Sequence, residues 1–395
     1  MSVAIPQEEL FQYAKTTAII DTLVSMPGTE SWKKGKMLRT PLKIYDINGD
    51  LLFQDFPIKS EDGAKVLGHI RTAARKDLGT PIIAHELGTR QWDFNAAVEK
   101  LKPIFSKKYP KSRIKNIKLV CYSYPKLGVM FQAVASNREL CRQIYDVASL
   151  KPVPEKPEKP AIEGFYAWSY LDSLKESSAI RLRKFDQFKK KITEIPEAEQ
   201  LAIQKTEFFR KYIDISKYDS IITKLIQTKL LQYCTHYNYN EARSHHCFVL
   251  QGQQVDDYCA VATCQMILCY YRYYYTQNQI APKLGYSAGS GCPSDQSAGY
   301  ESLTCNHLDA TFDNTPTFAE AKAQIDGLHP FKSGITGHAR ACAGYSTNLL
   351  TNVNRLYIYD PWPWNADFKL AGTVAWEDWD SPVKTNFVTT KLTCP

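Results

Sequence analysis

Four residues between positions 253 and 360 have side chains and an order suited to acyl transfer: Gln253, Cys259, His338 and Asp360. A thiol attacks a carbonyl only as thiolate, and its ordinary pKa of about 8.5 means that an enzyme working near neutrality must stabilise the anion. Cys259 opens a segment, running to about Tyr274, that reads as a helix. The unpaired N–H groups at a helix start, with a macrodipole equivalent to about half a positive charge, favour an anion there. His338 follows Gly337 at the head of a strand predicted over Gly337–Tyr345, and its imidazolium would complete an ion pair with the sulfur. Asp360 ends a strand predicted over Arg355–Tyr359; it would accept a hydrogen bond from the other ring nitrogen and fix the tautomer. Gln253, six positions before the cysteine, would offer its side-chain N–H to a developing oxyanion beside the Cys259 backbone N–H. One such donor is worth about 3 kcal/mol.

Taken singly, each residue also has an ordinary reading. Cys259 could be a core residue or half of a disulfide, as Cys264 and Cys269 in the same helix could be. His338 could be a satisfied strand histidine, and Asp360 before Pro361 a turn former. Gln254 competes with Gln253. It is the joint order that points to catalysis.

The segments Gln253–Ala262, Gly337–Arg340 and Tyr359–Trp362 together resemble papain-like cysteine peptidases, and within them the branch of the bacteriocin leader peptidases. The resemblance covers roughly residues 245–395. It implies a catalytic domain of helix plus antiparallel sheet, a peptide or protein substrate, and no cofactor or metal. Tyr258 and Val261 depart from relatives that carry Trp or Gly near the nucleophile, which leaves substrate preference open. Trp362, Trp364, Trp376 and Trp379 follow Asp360 closely; in this fold class a Trp can shield the His–Asp hydrogen bond, while most would be ordinary core. Gly68–Ala73 followed by Leu78–Ile83 resembles the prosegment or inhibitor domains attached to streptopain-type peptidases and some metallopeptidases, over about residues 40–90. That likeness implies an N-terminal domain that masks the cleft as an intramolecular inhibitor.

These residues need a scaffold, and 395 residues at roughly 150 per domain suggest more than one core. The apolar spacing over residues 7–26 predicts an amphipathic helix. Leu42–Tyr45 and Leu51–Phe56 flank Asn48-Gly49, a strong hairpin signal. Val66–Thr72 and Pro81–Glu86 read as strands, Phe94–Lys107 as a helix, and Ile117–Tyr124 with Gly128–Val134 as a hairpin. Lys151–Lys159 is rich in Pro and charge and reads as a semi-rigid linker. Residues 167–191 and 197–232 read as long charged helices. Beyond them lie a strand over His246–Leu250, a helix near Phe318–Gly327 and a strand over Asn386–Lys391. The expected fold class is α+β, with an α+β prosegment-like domain over 1–150, a linker with long helices over 151–232 and a papain-like domain over 233–395.

The net charge of +8 is split: residues 233–395 hold 10 Lys and Arg against 14 Asp and Glu, and the rest carries +12. Opposite signs suit docking of one half on the other, or simply a solvated Lys-rich face. No zinc-finger spacing or aromatic RNA-binding signature is present, so no nucleic-acid partner is expected. Nine of the 11 cysteines lie after Tyr233. Cys292 with Cys305, and Cys234 with Cys247, bracket loops that disulfides could close. His245-His246-Cys247 could be a metal cluster, a solvated loop being the simpler reading. No apolar run is long enough to span a membrane and the start lacks a signal-peptide pattern. The expectation is a cytoplasmic protein, with secretion as the alternative that cysteine density favours.

The reading that unites these features is a cysteine peptidase, made as a zymogen-like precursor. Its rivals are a Cys-dependent acyltransferase or transglutaminase-type enzyme, and an inactive disulfide-rich binding module.

Overall fold

Helix α1 (Gln7–Leu23) leads into strands β1 (Lys36–Met37), β2 (Leu42–Asp46), β3 (Leu51–Lys59), β4 (Val66–Ala73) and β5 (Ile82–Leu87) in the computed structural model. Residues 3–23, 25–135, 140–155, 165–174, 177–193, 226–231, 248–348 and 353–393 are described. The β2–β3 hairpin turns at Asn48-Gly49, where Gly49 takes φ +96°, a value that costs little without a Cβ. Helix α2 (Phe94–Lys108) starts on Asp93, whose side chain accepts the Ala96 N–H, and buries Ala97, Leu101 and Phe105 at four-residue spacing. It covers β6 (Ser112–Ser123) and β7 (Lys126–Ala135), next to which lies β8 (Leu140–Asp146).

Helix α3 (Ser178–Thr193) and β9 (Ile226–Leu230) precede the second half. There α4 (Cys259–Tyr270) is buried along its whole length, which its all-round apolar sequence permits. Helices α5 (Gln277–Ile280) and α6 (Ser297–Leu303), strand β10 (Leu308–Asp313) and α7 (Phe318–Asp326) follow. The strands β11 (Phe331–Ile335), β12 (His338–Asn348), β13 (Val353–Asp360), β14 (Thr373–Asp378) and β15 (Lys384–Leu392) complete the chain. The α+β class is as expected, with one large, mostly antiparallel sheet in the order β10-β15-β11-β12-β13-β14-β5-β4-β3-β2-β6-β7-β8. Among the described strands only β2 and β6 pair in parallel. The sheet passes between the halves where β14 pairs with β5, from Val374 opposite Leu87 to Glu377 opposite Ala84.

Several local expectations are corrected. The helix expected from residue 167 begins at Ser178, because Asp46 captures the chain first: its carboxylate accepts the Tyr170 N–H at 2.8 Å and the Ser169 hydroxyl at 2.9 Å. Most of the 197–232 helix lies outside the described residues, and its end, Ile226–Leu230, is a strand. That strand pairs with β12 from Gly344 to Asn348, beyond the point where β11 stops. Phe248–Leu250 is not a strand; Phe248 instead packs its ring on Tyr270 and Tyr359. Cys292 and Cys305 are thiols, not a bridge: Cys292 is in the core while Cys305 is exposed. Between them the chain forms α6 (Ser297–Leu303), and the segment just before Cys292 is tied to Asp257, which accepts the Tyr286 hydroxyl at 2.9 Å and the Gly289 N–H at 2.8 Å. The expected Cys234–Cys247 pair and His245-His246 lie outside the described residues. Among the described residues, no helix is long and apolar enough to cross a membrane.

Candidate active site

The turn before His338 is set by backbone chemistry. Ile335 pairs with His338 across a two-residue connection, Thr336-Gly337, and Gly337 takes φ +75°. A Cβ there would come within 2.7 Å of the Ser123 Oγ, so both conformation and space call for glycine. His338 thereby enters β12 wholly buried, on the face it shares with Arg340 two residues on.

His338 Nε2 lies 2.8 Å from Asp360 Oδ1 at the end of β13. The same oxygen accepts the Trp362 backbone N–H at 2.8 Å, so the imidazole supplies the hydrogen between ring and carboxylate. Burial pushes the His338 pKa down to about 4; nearby Lys126 and Arg340 also lower it, and Asp360 opposes the shift without overcoming it. Near neutrality the ring is uncharged, with its proton on Nε2. Nδ1 is left facing the interior without a hydrogen-bond partner.

Cys259 is the first residue of α4, fully buried, and not in a disulfide. Tyr258 at the N-cap provides no side-chain cap. Helix α4 packs on β12, and Cys259 shares a core cluster with Ala339, Ala341 and Tyr359. The structure thus joins His338 to Asp360 and lays the cysteine helix on the histidine strand, with Nδ1 of the ring carrying no hydrogen bond.

Gln253 sits beside the Asp360 end of the site, since its backbone N–H donates to Pro361 O at 3.0 Å. Its side-chain Nε2 donates inward, to Val255 O at 2.9 Å and Asp256 O at 2.7 Å. Both amide hydrogens are therefore spent within the loop before Cys259. Gln254 is half-buried, and its backbone N–H donates to Gln277 Oε1 at 2.9 Å.

The N-terminal half closes over these residues. Lys126 Nζ donates to Gly337 O at 3.2 Å. Asp146 Oδ2 accepts the Trp362 indole N–H at 3.0 Å and the Tyr122 hydroxyl at 2.7 Å. Lys151 pairs with Asp256 at 2.8 Å and lies over the Trp364 ring. Gln253, Cys259 and His338 have no exposed surface, and Asp360 is 4% exposed. Sequence reasoning missed Lys126 and Asp146, because a lysine in a hairpin and an aspartate at a strand end look like surface residues.

Residues 245–379 match the Peptidase_C39 like family, so the stretch that carries all four residues is similar to a peptidase family. No curated protein matches the chain. Among solved structures, the crystal structure of UfSP from C. elegans is similar over 42% of this chain and 34% of its own, at 16% identity and a TM-score of 0.28. The similarity therefore spans about a third of that protein's length.

Proposed function

We propose that the protein is a cysteine peptidase in which Cys259 is the nucleophile, His338 the acid and base, and Asp360 the group that orients the ring. The observation that carries this reading is the His338 Nε2–Asp360 hydrogen bond, which leaves Nδ1 unoccupied on a strand against which the Cys259 helix packs. In the reaction Nδ1 takes the thiol proton as sulfur bonds to the scissile carbonyl carbon. The proton then passes to the leaving amine, and water hydrolyses the thioester. The Cys259 N–H would face the oxyanion, joined by Gln253 once its amide turns out of its loop.

The described state is closed, in keeping with a self-inhibited precursor whose N-terminal half covers the site. Active-site titration with an irreversible thiol-directed peptide inhibitor tests the reading. Wild type is expected to bind one equivalent after opening and Cys259→Ala none; equal labelling of both would sink it. Product analysis on a peptide with and without added amine separates hydrolysis from acyl transfer. The complete burial of Cys259 is the observation that favours an idle fold, in which iodoacetamide would leave this thiol unmodified at every pH that keeps the chain folded.

A further inference from the structure

The geometry points to a second role for the N-terminal half: Lys126 and Asp146 are positioning residues for the His338–Asp360 pair, which makes this half a permanent wall of the site. The inference deepens the peptidase reading and rests on it for the pair's catalytic meaning.

Two relays carry it. Asp360 Oδ1 holds two donors, the His338 ring and the Trp362 backbone N–H, so the placement of Trp362 sets that of the carboxylate. The far end of Trp362 is fixed by Asp146 Oδ2, which the Tyr122 hydroxyl also holds. Oδ1 of Asp146 is occupied separately, by the backbone N–H groups of Ala148 at 3.0 Å and Ser149 at 2.7 Å. A residue needed only to shape its own turn would use Oδ1 alone; Oδ2 reaches into the other half of the molecule. The second relay is Lys126 Nζ on the carbonyl of Gly337, the residue that delivers His338 to its strand.

Both Asp146 and Lys126 are fully buried. Burying a charge is costly even when hydrogen bonds offset it, and an apolar seam would hold the halves together at least as well. Two ionisable side chains kept in the seam, one donating to the residue before His338 and the other accepting from Trp362 close to Asp360, fit positioning better than adhesion.

The test reads the His338 tautomer by ¹⁵N NMR on the full histidine-labelled chain, assigned with His338→Gln, alongside melting temperature and the rate of Cys259 alkylation. Wild type is expected to show Nε2–H alone. Trp362→Phe, which keeps the ring and the backbone N–H but removes the indole donor, and Asp146→Asn should each give mixed tautomers. Any Cys259 alkylation seen in wild type should fall about tenfold in them, the scale of one charged hydrogen bond. Lys126→Met should loosen the ring likewise, and Lys126→Arg, which keeps N–H donors at the reach of Gly337 O, should restore it. Folded variants that keep a single Nε2–H tautomer overturn the proposal. Should Asp146→Asn fail to fold, Trp362→Phe decides the first relay alone. An inert Cys259 in wild type would count against the peptidase reading, while the tautomer result would still decide the positioning role.

Discussion

His338 stays neutral in the folded chain near pH 7, because burial holds its pKa at about 4 against the pull of Asp360. The unfolded chain takes up this proton near pH 6.5 and the folded chain refuses it until about 4, so the fold is penalised as pH falls through that window. Asp378, pushed up to about 7 by burial, acts with the opposite sign over much of the same range, so comparison with His338→Gln is needed to isolate the histidine. Urea unfolding should show wild type losing about 2 kcal/mol relative to His338→Gln between pH 7 and pH 5. A constant difference would mean that the ring is not held neutral. Gly337→Ala forces a Cβ into a left-handed backbone and against Ser123, and should cost more than about 1 kcal/mol in the same assay. The partnership of His338 with Asp360 was legible because an imidazole and a carboxylate in that order have complementary chemistry. The supports at Lys126 and Asp146 were not, since nothing local tells a buried charge from a solvated one.

Strand β13, which delivers Asp360, is fixed from outside its own half. Arg355 on β13 forms a buried pair with Asp21 of α1, at 2.9 Å, and Asp21 also pairs with His85 of β5. Burial alone would raise the Asp21 pKa, but Arg355 and His85 hold it below the usual carboxylate value. Arg355→Leu should therefore destabilise the chain by about 3–5 kcal/mol, since it strips a buried carboxylate of its cation. Adding Asp21→Leu should recover much of that loss. A double variant as weak as the sum of its parts would show that the pair is not coupled. Elements with a strong local signal, such as the Asn48-Gly49 turn of the β2–β3 hairpin and the long apolar run of α4, were readable in advance. Strands β11 and β14 were not, because Lys332, Ser333, Glu377 and Asp378 are polar yet buried, which erases the alternation that marks a half-buried strand.

At the scale of the whole molecule, the halves share backbone pairing, buried charge and side-chain contacts such as Tyr170 with Ser381 at 2.6 Å and Trp376 with Pro27 O at 3.0 Å. Prolonged incubation of the reduced protein is expected to cut the chain between Pro160 and Tyr233, and Cys259→Ala to abolish the cut; an intact wild type would count against self-processing. The two pieces should separate on a denaturing gel yet elute together on native size exclusion, and release of the N-terminal piece would contradict its place in the sheet. The continuity of that sheet limits how a substrate could get in. Where β14 adjoins β5 the backbone offers no hinge, so the two halves cannot swing apart like jaws without first tearing a ladder of hydrogen bonds. Any opening then has to begin where side chains rather than that ladder hold the cover, as at the Lys151 contacts with Asp256 and the Trp364 ring.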